Sequence, residues 1–363
     1  MKKRADIFQD RQKRLTVLLE KERVPALLVS NLINVRYLTG FACTYGSLLA
    51  VGGRFFFLTD SRYIFEARKK AVADEIEETK SERAPEVIRE ILGGAKARKL
   101  CFEPEALSFA DYEKLSERAR GVKLIPHSGA VESVRTVKDG SEVAAIKRAS
   151  AVMARALRET LAETVPGSTE KDIRAGLESR MIMSGAEGIA FDTIAASGPR
   201  SAYAHGAPTD RKLAPGDFVV IDFGARVDGY NSDMTRTAHV GRPSAEDARI
   251  YRAVLEARNS AVEAAVPGAP GEAPDRAARL ALRKHGLEQY FTHGLGHGVG
   301  LEVHERPRLA PGAKEKLVPG MVFTIEPGVY IKGRGGVRIE DTFLQTKDGP
   351  VPLTSGSRIM RVI

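Results

Sequence analysis

Histidines cluster in one glycine-rich stretch of the sequence, Thr292–Glu305, which reads T-H-G-L-G-H-G-V-G-L-E-V-H-E. Three of the chain's seven histidines, His293, His297 and His304, lie within it. Its glycines let the backbone approach another group closely and adopt dihedral angles that other residues avoid. Imidazoles on such a backbone suit metal ligation or proton transfer. A glycine-rich turn between two strands, with incidental surface histidines, is the structural alternative that this stretch alone leaves open.

Two aspartates lie in a predicted β-hairpin, on either side of a tight turn. Asp228 and Gly229 form a pair that is typical of a two-residue hairpin loop. With these residues as the loop, Asp222 is the cross-strand partner of Thr235. Asp233 lies two residues before Thr235 and therefore on the same face of the sheet as Asp222. We therefore expect the two carboxylates to point together from buried strands. The structural alternative is that each carboxylate only hydrogen-bonds a turn, although an unpaired buried carboxylate is costly.

Two glutamates follow apolar strands nearer the C-terminal end of the sequence. Glu326 follows the segment 321–325, and Glu340 follows the segment 335–339. Arg338 lies two residues before Glu340 and therefore shares its face of the strand. A second pair of carboxylates thus lies in an otherwise apolar setting.

Four carboxylates and at least one imidazole in one core form a donor set for one or two divalent metal ions. Oxygen-rich ligation with a single imidazole suits Mn, Co, Fe or Zn, and a chain with two cysteines excludes a cysteine-based structural zinc site. Because carboxylates bridge, five ligands suffice for two ions about 3.5–4 Å apart. Such a pair activates a shared water and polarises a carbonyl or phosphoryl oxygen. The residues therefore predict metal-assisted hydrolysis and leave the substrate open.

Two domains are expected to carry these residues. Residues 1–129 alternate short strands with helices, including helices predicted near 5–23 and 61–80, which indicates an α/β domain. That segment shows no cluster of acids and bases with metal-ligand or nucleophile–base spacing. Residues 130–363 begin with long helices and change to short β-rich segments from Phe191, which predicts an α+β domain with a largely antiparallel sheet. All candidate ligands fall in this second domain.

Composition narrows the class of protein further. A hydrophobic content of 43% and a charged content of 28% are those of a soluble globular chain. The net charge is +9, but basic and acidic residues interleave, and an aromatic content of 6% without tryptophan provides no stacking platform for single-stranded nucleic acid. No apolar run approaches the roughly 20 residues of a membrane span, and no signal peptide is recognisable. We expect a cytoplasmic protein without nucleic-acid or membrane partners.

The candidate ligands resemble, in order and local context, the five metal ligands of the pita-bread metallopeptidases (family M24): Asp222, Asp233, His297, Glu326 and Glu340. That family includes aminopeptidase P, prolidase, methionine aminopeptidase and the metal-free creatinase. The segments 34–41 and 59–63 also resemble the N-terminal domain that aminopeptidase P and prolidase carry. The resemblance implies an α/β creatinase/prolidase-like domain over residues 1–129 and a pita-bread catalytic domain over residues 130–363.

The resemblance also implies roles for these five residues. Asp222 would chelate one metal ion, His297 and Glu326 the other, and Asp233 and Glu340 would bridge the two. It implies two divalent ions per chain, most often Mn²⁺ with Co²⁺ or Zn²⁺ as alternatives, and a bridging water or hydroxide as nucleophile. Asp222 would also help to hold the free amine of the substrate. Glu326 resembles the residue that carries a proton from the water to the leaving nitrogen.

Three further histidines match positions that line the family's substrate pocket: His205, His293 and His304. Of these, His304 would stabilise the tetrahedral intermediate as a hydrogen-bond donor. Taken alone, His205 would be an ordinary loop histidine before a turn proline. Tyr330 and Arg338 match polar positions behind the ligands, and Arg338 would orient a bridging carboxylate through two hydrogen bonds.

Within the family, the chain resembles the Xaa-Pro hydrolases. Methionine aminopeptidases usually lack a counterpart of the first domain, and creatinase has lost the ligand set that this chain retains. Hydrolysis of Xaa-Pro bonds remains, either in dipeptides, as in prolidase, or at the N-terminus of longer peptides, as in aminopeptidase P. Arg308 resembles an arginine that binds the dipeptide's carboxylate in some prolidases, with a solvated loop arginine as the structural alternative.

The resemblance also implies a homodimer. Two alternative functions remain open. One is a catalytically inactive pita-bread binding module, against which the complete ligand set argues. The other is a dinuclear-metal amidohydrolase or phosphoesterase whose substrate lacks proline. Such an enzyme would not need the three pocket histidines together.

Overall fold

The computed structural model describes residues 4–80 and 82–363. The chain divides into two compact units, the first ending at Arg135 and the second spanning Thr136–Ile363. The domain boundary that the sequence predicts, after residue 129, falls directly before the last helix of the first unit.

The first unit is an α/β structure built on one mixed sheet. Its helices are α1 (Arg4–Glu22), α2 (Leu32–Thr39), α3 (Ile64–Lys70), α4 (Ala84–Gly94), α5 (Phe109–Arg118) and α6 (Ala130–Arg135). Its strands are β1 (Ala26–Val29), β2 (Ser47–Val51), β3 (Arg54–Thr59), β4 (Glu75–Glu78), β5 (Lys99–Phe102) and β6 (Lys123–Pro126). They lie in the order β4-β3-β2-β1-β5-β6. Strand β2 is antiparallel to both of its neighbours, and the other adjacent pairs are parallel.

The predicted helix over residues 61–80 is wrong in its second half. Helix α3 ends at Lys70, and β4 follows as a strand paired in parallel with β3. The Asp74 carboxylate accepts a hydrogen bond from the backbone N–H of Phe55 at 2.7 Å, which attaches the start of β4 to the sheet. The charged sequence of this edge strand suits a helix equally well, so pairing with the sheet decides its conformation.

A buried carboxylate joins three elements of the first unit. Glu103, directly after β5, accepts hydrogen bonds from the backbone N–H groups of Ser30 and Asn31, both at 2.8 Å, and from Asn34 Nδ2 at 2.6 Å. Burial raises the pKa of Glu103 to about 7; the hydrogen bonds oppose the shift and the nearby charge of Glu132 adds to it. This group therefore titrates near neutral pH.

The second unit contains long helices and short, mostly antiparallel strands. Its helices are α7 (Gly140–Glu163), α8 (Glu170–Met183), α9 (Ala245–Ala264) and α10 (Glu272–Lys284). The strands of its first half are β7 (Gly188–Ile189), β8 (Ile194–Ser197), β9 (Phe218–Phe223), β10 (Ala225–Val227), β11 (Tyr230–Asn231) and β12 (Met234–His239). Those of its second half are β13 (Gly296–Gly298), β14 (Glu305–Leu309), β15 (Val322–Ile325), β16 (Gly328–Ile331), β17 (Gly335–Arg338), β18 (Asp341–Thr346), β19 (Gly349–Pro352) and β20 (Arg361–Val362).

The predicted hairpin register is confirmed. Strands β9 and β12 pair antiparallel with Thr235 opposite Asp222. Both turn residues have positive φ, 52° for Asp228 and 80° for Gly229, as a tight two-residue hairpin turn requires. Strands β9 and β12 lie in a sheet of order β20-β12-β9-β8, whereas the strands next to the turn lie in one of order β11-β10-β7. Another sheet has the order β14-β13-β15-β18-β19.

Small side chains let helices α9 and α10 approach each other closely beside the strands. Ala253, Ala257 and Ala261 recur every four residues on α9 and are fully buried in one hydrophobic cluster with Ala278 and Ala281 of α10. The same cluster includes apolar residues of the strands β15–β18, so the two helices pack against these strands. Across the described ranges 4–80 and 82–363, none of the helices combines the length and hydrophobicity that crossing a bilayer requires.

Candidate metal centre and substrate pocket

A cavity of about 780 Å³ in the second unit collects the predicted site residues. Its lining includes all five candidate ligands: Asp222, Asp233, His297, Glu326 and Glu340. It also includes five residues predicted to contact substrate or to support the ligands: His205, His293, His304, Arg308 and Arg338. Tyr330 is buried behind the cavity and hydrogen-bonds two of its lining residues.

Strands and strand ends deliver each of the five ligands. Asp222 lies within β9, and Asp233 directly precedes β12. His297 is the middle residue of β13. Glu326 directly follows β15, and Glu340 directly precedes β18. Short antiparallel strands thus bring together residues that are more than 100 positions apart.

The ligand atoms lie at distances that suit a shared cation. His297 Nε2 is 3.2 Å from Glu326 Oε1 and 3.7 Å from Asp233 Oδ2. Asp233, His297 and Glu340 each offer a ligand atom within 4.8 Å of the other two. Nitrogen and carboxylate oxygen donors in this mixture suit first-row divalent metals.

Three carboxylate oxygens at the centre have no hydrogen-bond partner among the described residues, although each is buried: Asp222 Oδ1, Asp233 Oδ1 and Glu340 Oε1. A buried, unpaired carboxylate costs several kcal/mol, so such groups are normally paired or bind a metal. Three such oxygens in one cavity fit a divalent cation, which would satisfy oxygens that no donor of the described residues reaches.

Burial and mutual repulsion act on the same carboxylates. Burial raises the pKa of Asp233 well above its ordinary value, and the charge of Asp222 raises it further. Burial likewise raises the pKa of Glu340, to which the charge of Asp233 adds. Burial and like-charge repulsion thus both disfavour the ionised form of these carboxylates, and a bound cation would offset both effects.

His297 and Glu326 form an ion pair within the centre. Burial alone would lower the pKa of His297, but the hydrogen bond and charge of Glu326 outweigh it and raise the value to about 9. Burial raises the pKa of Glu326, but the hydrogen bond and charge of His297, together with the charges of His293 and Arg338, outweigh burial and lower the pKa overall. His297 Nδ1 faces the carbonyl oxygen of Gly298 at 3.1 Å, so this nitrogen carries a proton. Nε2 is therefore the nitrogen that a metal would take, after losing its own proton.

Polar residues behind the ligands hold them in place. Thr235 Oγ1 donates to Glu340 Oε2 at 2.6 Å, and Arg338 Nη2 donates to Asp222 Oδ2 at 2.6 Å. Arg338 Nε also donates to Thr235 Oγ1 at 3.0 Å. Each of these carboxylates therefore has one oxygen held by the protein and one oxygen directed at the cavity. The expectation that Arg338 orients a bridging carboxylate with two hydrogen bonds is wrong, because it gives Asp222 a single bond and three further donors go to Thr235, Tyr330 and a backbone carbonyl.

His293 belongs to a hydrogen-bonded chain that starts at Arg338. Arg338 Nη1 donates to Tyr330 Oη at 2.7 Å, and Tyr330 Oη lies 3.0 Å from His293 Nε2. His293 Nδ1 faces the carbonyl oxygen of Gly294 at 2.8 Å and so carries a proton. Burial lowers the pKa of His293, which keeps the imidazole neutral at neutral pH and lets Nε2 accept from the tyrosine.

The remaining predicted residues face the cavity from more exposed positions. The His304 ring centroid is 4.2 Å from that of His297, and partial burial together with the His297 charge lowers the pKa of His304. His205 lines the same cavity as His304. Arg308 is the cross-strand partner of His297 in the β13–β14 pair. Its exposed guanidinium forms no ion pair with any described residue.

Sequence reasoning missed the residues that anchor the strand after Glu340. Asp341 is fully buried and accepts from Arg236 Nη2 at 2.8 Å, Arg258 Nη2 at 2.8 Å and Arg358 Nε at 2.6 Å. The signal was present, because Asp341 is a second acid at the start of an apolar strand. Its partners lie in distant parts of the sequence, so they were not identifiable in advance.

The chain matches known protein families over both units. The model of metallopeptidase family M24 matches residues 144–347, and that of the creatinase/prolidase N-terminal domain matches residues 11–137. An Xaa-Pro dipeptidase from Pyrococcus horikoshii is 37% identical over 353 residues, which cover 97% of this chain and 99% of that protein.

Solved structures agree with these matches. An Xaa-Pro dipeptidase from Bacillus anthracis superposes with a TM-score of 0.94 and 36% identity, covering 98% of this chain and 100% of the other. An X-Pro aminopeptidase from Thermotoga maritima gives a TM-score of 0.87 and 36% identity, with 97% and 99% coverage. The predicted architecture, an α/β N-terminal domain and a pita-bread catalytic domain, is thereby confirmed. The chain belongs to metallopeptidase family M24.

Proposed function

We propose that this chain is a metal-dependent exopeptidase that hydrolyses Xaa-Pro bonds, in dipeptides or at the N-terminus of longer peptides. The observation that carries the proposal is the set of three unpartnered, buried carboxylate oxygens that meet His297 in a cavity lined by three further histidines. The similarity to an Xaa-Pro dipeptidase and an X-Pro aminopeptidase supports the choice of substrate. An inactive binding module would have no need of such costly carboxylates.

Five residues are proposed to hold two divalent ions. Asp222 would bind one ion, His297 and Glu326 the other, and Asp233 and Glu340 would contribute to both. Mn²⁺ is our first candidate, because it accepts mainly oxygen donors with a single imidazole. When bound, the ions supply a water of lowered pKa as nucleophile and polarise the carbonyl of the scissile bond.

Strand pairing orients the substrate along the cavity. Ile194 is the cross-strand partner of Asp222, so its side chain lies on the same face and offers an apolar contact to the first residue of the substrate. Asp222 would hold the free amine at this end. Arg308, the cross-strand partner of His297, also lines the cavity, and its guanidinium would bind the proline carboxylate of a dipeptide.

Two residues are proposed to act directly on the reacting bond. His304 would donate a hydrogen bond to the carbonyl oxygen as negative charge develops there. The proline nitrogen must gain a proton before its bond to the carbonyl carbon breaks, because it would otherwise have to leave as a strongly basic anion. We assign that transfer to Glu326, whose Oε1 accepts a hydrogen bond from Thr324 Oγ1 at 3.3 Å and lies beside His297 Nε2. Its Oε2 has no hydrogen-bond partner among the described residues, so it is free to carry a proton.

His205 and His293 would complete the pocket around the proline. His293 is held by Tyr330, so it offers a fixed ring face and no free nitrogen acceptor. His205 retains both ring nitrogens for substrate, since its side chain has no hydrogen bond to the described residues. Together with His304 they form a small, polar pocket suited to a five-membered ring.

Further parts of the proposal concern the whole protein. We propose a homodimer of chains with two domains that divide near residue 129. Cys43 and Cys101 are both free thiols, which supports a reducing, cytoplasmic environment.

A metal-by-substrate panel tests the proposed function. Metal-free protein reconstituted with Mn²⁺, Co²⁺ or Zn²⁺ is assayed against Ala-Pro, Ala-Pro-Ala and Ala-Ala-Ala. We expect both proline peptides to be cleaved much faster than Ala-Ala-Ala, and the ratio of Ala-Pro to Ala-Pro-Ala gives the length preference. Absence of Xaa-Pro cleavage with every metal would refute the proposal.

A further inference from the structure

We propose that Glu170 is the positioning residue for His205, holding the loop that carries this histidine against the substrate cavity. The loop comprises residues 198–208, between β8 and Thr209. This inference rests on the proposed function, because it assigns to His205 a contact with the proline substrate. Glu170 itself lies on α8, outside the lining of the cavity.

Glu170 binds both ends of the loop with one fully buried carboxylate. Its Oε1 accepts from Ser197 at the start of the loop, from the backbone N–H at 2.7 Å and the hydroxyl at 2.8 Å. Its Oε2 accepts from Thr209 at the end of the loop, from the backbone N–H at 2.9 Å and the hydroxyl at 2.7 Å. Arg200 Nε, within the loop, also donates to Oε2 at 3.3 Å.

The loop lines the cavity but makes few side-chain bonds of its own there. Ala204, His205, Ala207 and Pro208 all lie in the cavity wall. His205 is exposed and has no hydrogen-bond partner among the described residues. The position of its imidazole therefore depends on the backbone that carries it, and that backbone is fixed at its ends by Glu170.

The opposite side of the loop is held by the strand that carries Arg338. The backbone N–H of Gly336 donates to Ser201 Oγ at 2.8 Å, and Arg338 Nη1 donates to the carbonyl oxygen of Ala204 at 3.2 Å. A Cβ at Gly336 would lie 2.3 Å from the carbonyl oxygen of Ser201, so the backbones approach closely. Glu170 on one side and β17 on the other thus define where His205 lies relative to the metal ligands.

Replacing Glu170 by glutamine disturbs its hydrogen bonds while keeping the shape of the side chain. All five groups that contact the carboxylate are donors, on both of its oxygens. A glutamine has nearly the same shape, but in either orientation its NH₂ group faces a backbone N–H, of Ser197 or of Thr209, which cannot accept a hydrogen bond. Glu170→Gln therefore releases one end of the loop without creating a cavity.

The start of α8 does not depend on Glu170. Its capping box consists of Thr169 and Asp172, which bond each other's backbone N–H groups at 3.1 and 2.7 Å. Asp172→Asn makes the same change of charge two residues away on the same helix turn, without touching the loop. It is the matched control for Glu170→Gln.

A double-mutant cycle with His205 tests the inference. We measure kcat and KM for Ala-Pro with Mn²⁺, together with metal content, for wild type, Glu170→Gln, His205→Ala, the double variant and Asp172→Asn. Because a displacement of about 1 Å can cost roughly 10²-fold in rate, we expect Glu170→Gln to lower kcat/KM at least about tenfold. We expect metal content to stay at the wild-type level and Asp172→Asn to behave as wild type. In the His205→Ala background, Glu170→Gln should have little further effect.

Equal losses from Glu170→Gln in both backgrounds would overturn the inference, because the residue would then act on something other than His205. Hydrogen exchange provides a readout without activity: amides of residues 198–209 should exchange faster in Glu170→Gln than in wild type and Asp172→Asn. Unchanged exchange overturns the inference. If the wild type cleaves no Xaa-Pro peptide, the proposed function fails, and the exchange experiment still decides whether Glu170 holds the loop.

Discussion

Thr235 offers the clearest test of how the protein supports a bound metal. Its hydroxyl donates to Glu340 Oε2 at 2.6 Å and accepts from Arg338 Nε at 3.0 Å. Thr235→Val keeps the shape of the side chain and removes both bonds. Both oxygens of Glu340 would then lack a protein donor, and one donor of Arg338 would be unpaired.

The expected losses of stability and of Mn²⁺ affinity in Thr235→Val follow from these contacts. Leaving a buried polar group without its partner costs about 1–3 kcal/mol, so the free energy of unfolding should fall by that amount. Loss of a residue that orients a metal ligand typically weakens metal affinity about 10–100-fold. We therefore expect the Kd for Mn²⁺ to rise by this factor in Thr235→Val, while Thr235→Ser, which retains the hydroxyl, stays close to wild type.

Thr237 supplies a matched control on the same face of β12. Its hydroxyl donates to the carbonyl oxygen of Arg338 at 2.9 Å and accepts from the Arg338 N–H at 3.1 Å, so it contacts backbone rather than a ligand. Thr237→Val should lose stability to a similar extent but keep its Mn²⁺ affinity. Isothermal titration calorimetry with Mn²⁺ and chemical denaturation of the metal-free proteins measure both quantities. Equal Mn²⁺ affinity in Thr235→Val, Thr237→Val and wild type would refute the assigned role.

Three further predictions follow from single contacts. Arg308→Ala should raise KM for Ala-Pro about tenfold but leave KM for the amide Ala-Pro-NH₂ nearly unchanged, since only the free carboxylate offers a charged acceptor; equal effects would contradict the assignment. His304→Ala should lower kcat for Ala-Pro by about 10²–10³-fold with metal content retained, and a variant that turns over normally would exclude a role in the transition state. Because the folded-state pKa of Glu103 is raised to about 7 from 4.5, its stabilising effect is complete below the unfolded value and is lost as pH rises through 7. Between about pH 5 and pH 8, the free energy of unfolding of the wild type should therefore fall by roughly 3 kcal/mol relative to that of Glu103→Gln. A difference in unfolding free energy between the two proteins that does not change with pH, measured by urea denaturation, would contradict the raised pKa.

Local rules predicted the part of the site that depends on one hairpin. The Asp228-Gly229 turn and the two-residue period of a strand sufficed to place Thr235 opposite Asp222. The same reasoning failed over residues 71–80, because the charged sequence of β4 becomes a strand only through pairing with β3. Turn chemistry is local, whereas the choice between helix and edge strand is made by the rest of the sheet.

Contacts between distant strands lay beyond the sequence. The hydrogen bond from Thr235 to Glu340 joins residues 105 positions apart, and the chain from Arg338 through Tyr330 to His293 crosses separate strands. The resemblance to a known family supplied the list of ligands. The packing of the sheets decides which polar group hydrogen-bonds each ligand side chain. The order of residues along the sequence does not contain that information.

Metal content measured together with Xaa-Pro hydrolysis tests the central claim most directly. Wild type and Asp233→Asn are purified metal-free, incubated with Mn²⁺, desalted, and then assayed for bound metal by mass spectrometry and for cleavage of Ala-Pro. We predict about two ions per chain and rapid cleavage for wild type, with metal and activity lost together in Asp233→Asn. Cleavage of Ala-Pro by metal-free wild type, or full activity with full metal content in Asp233→Asn, would contradict the account.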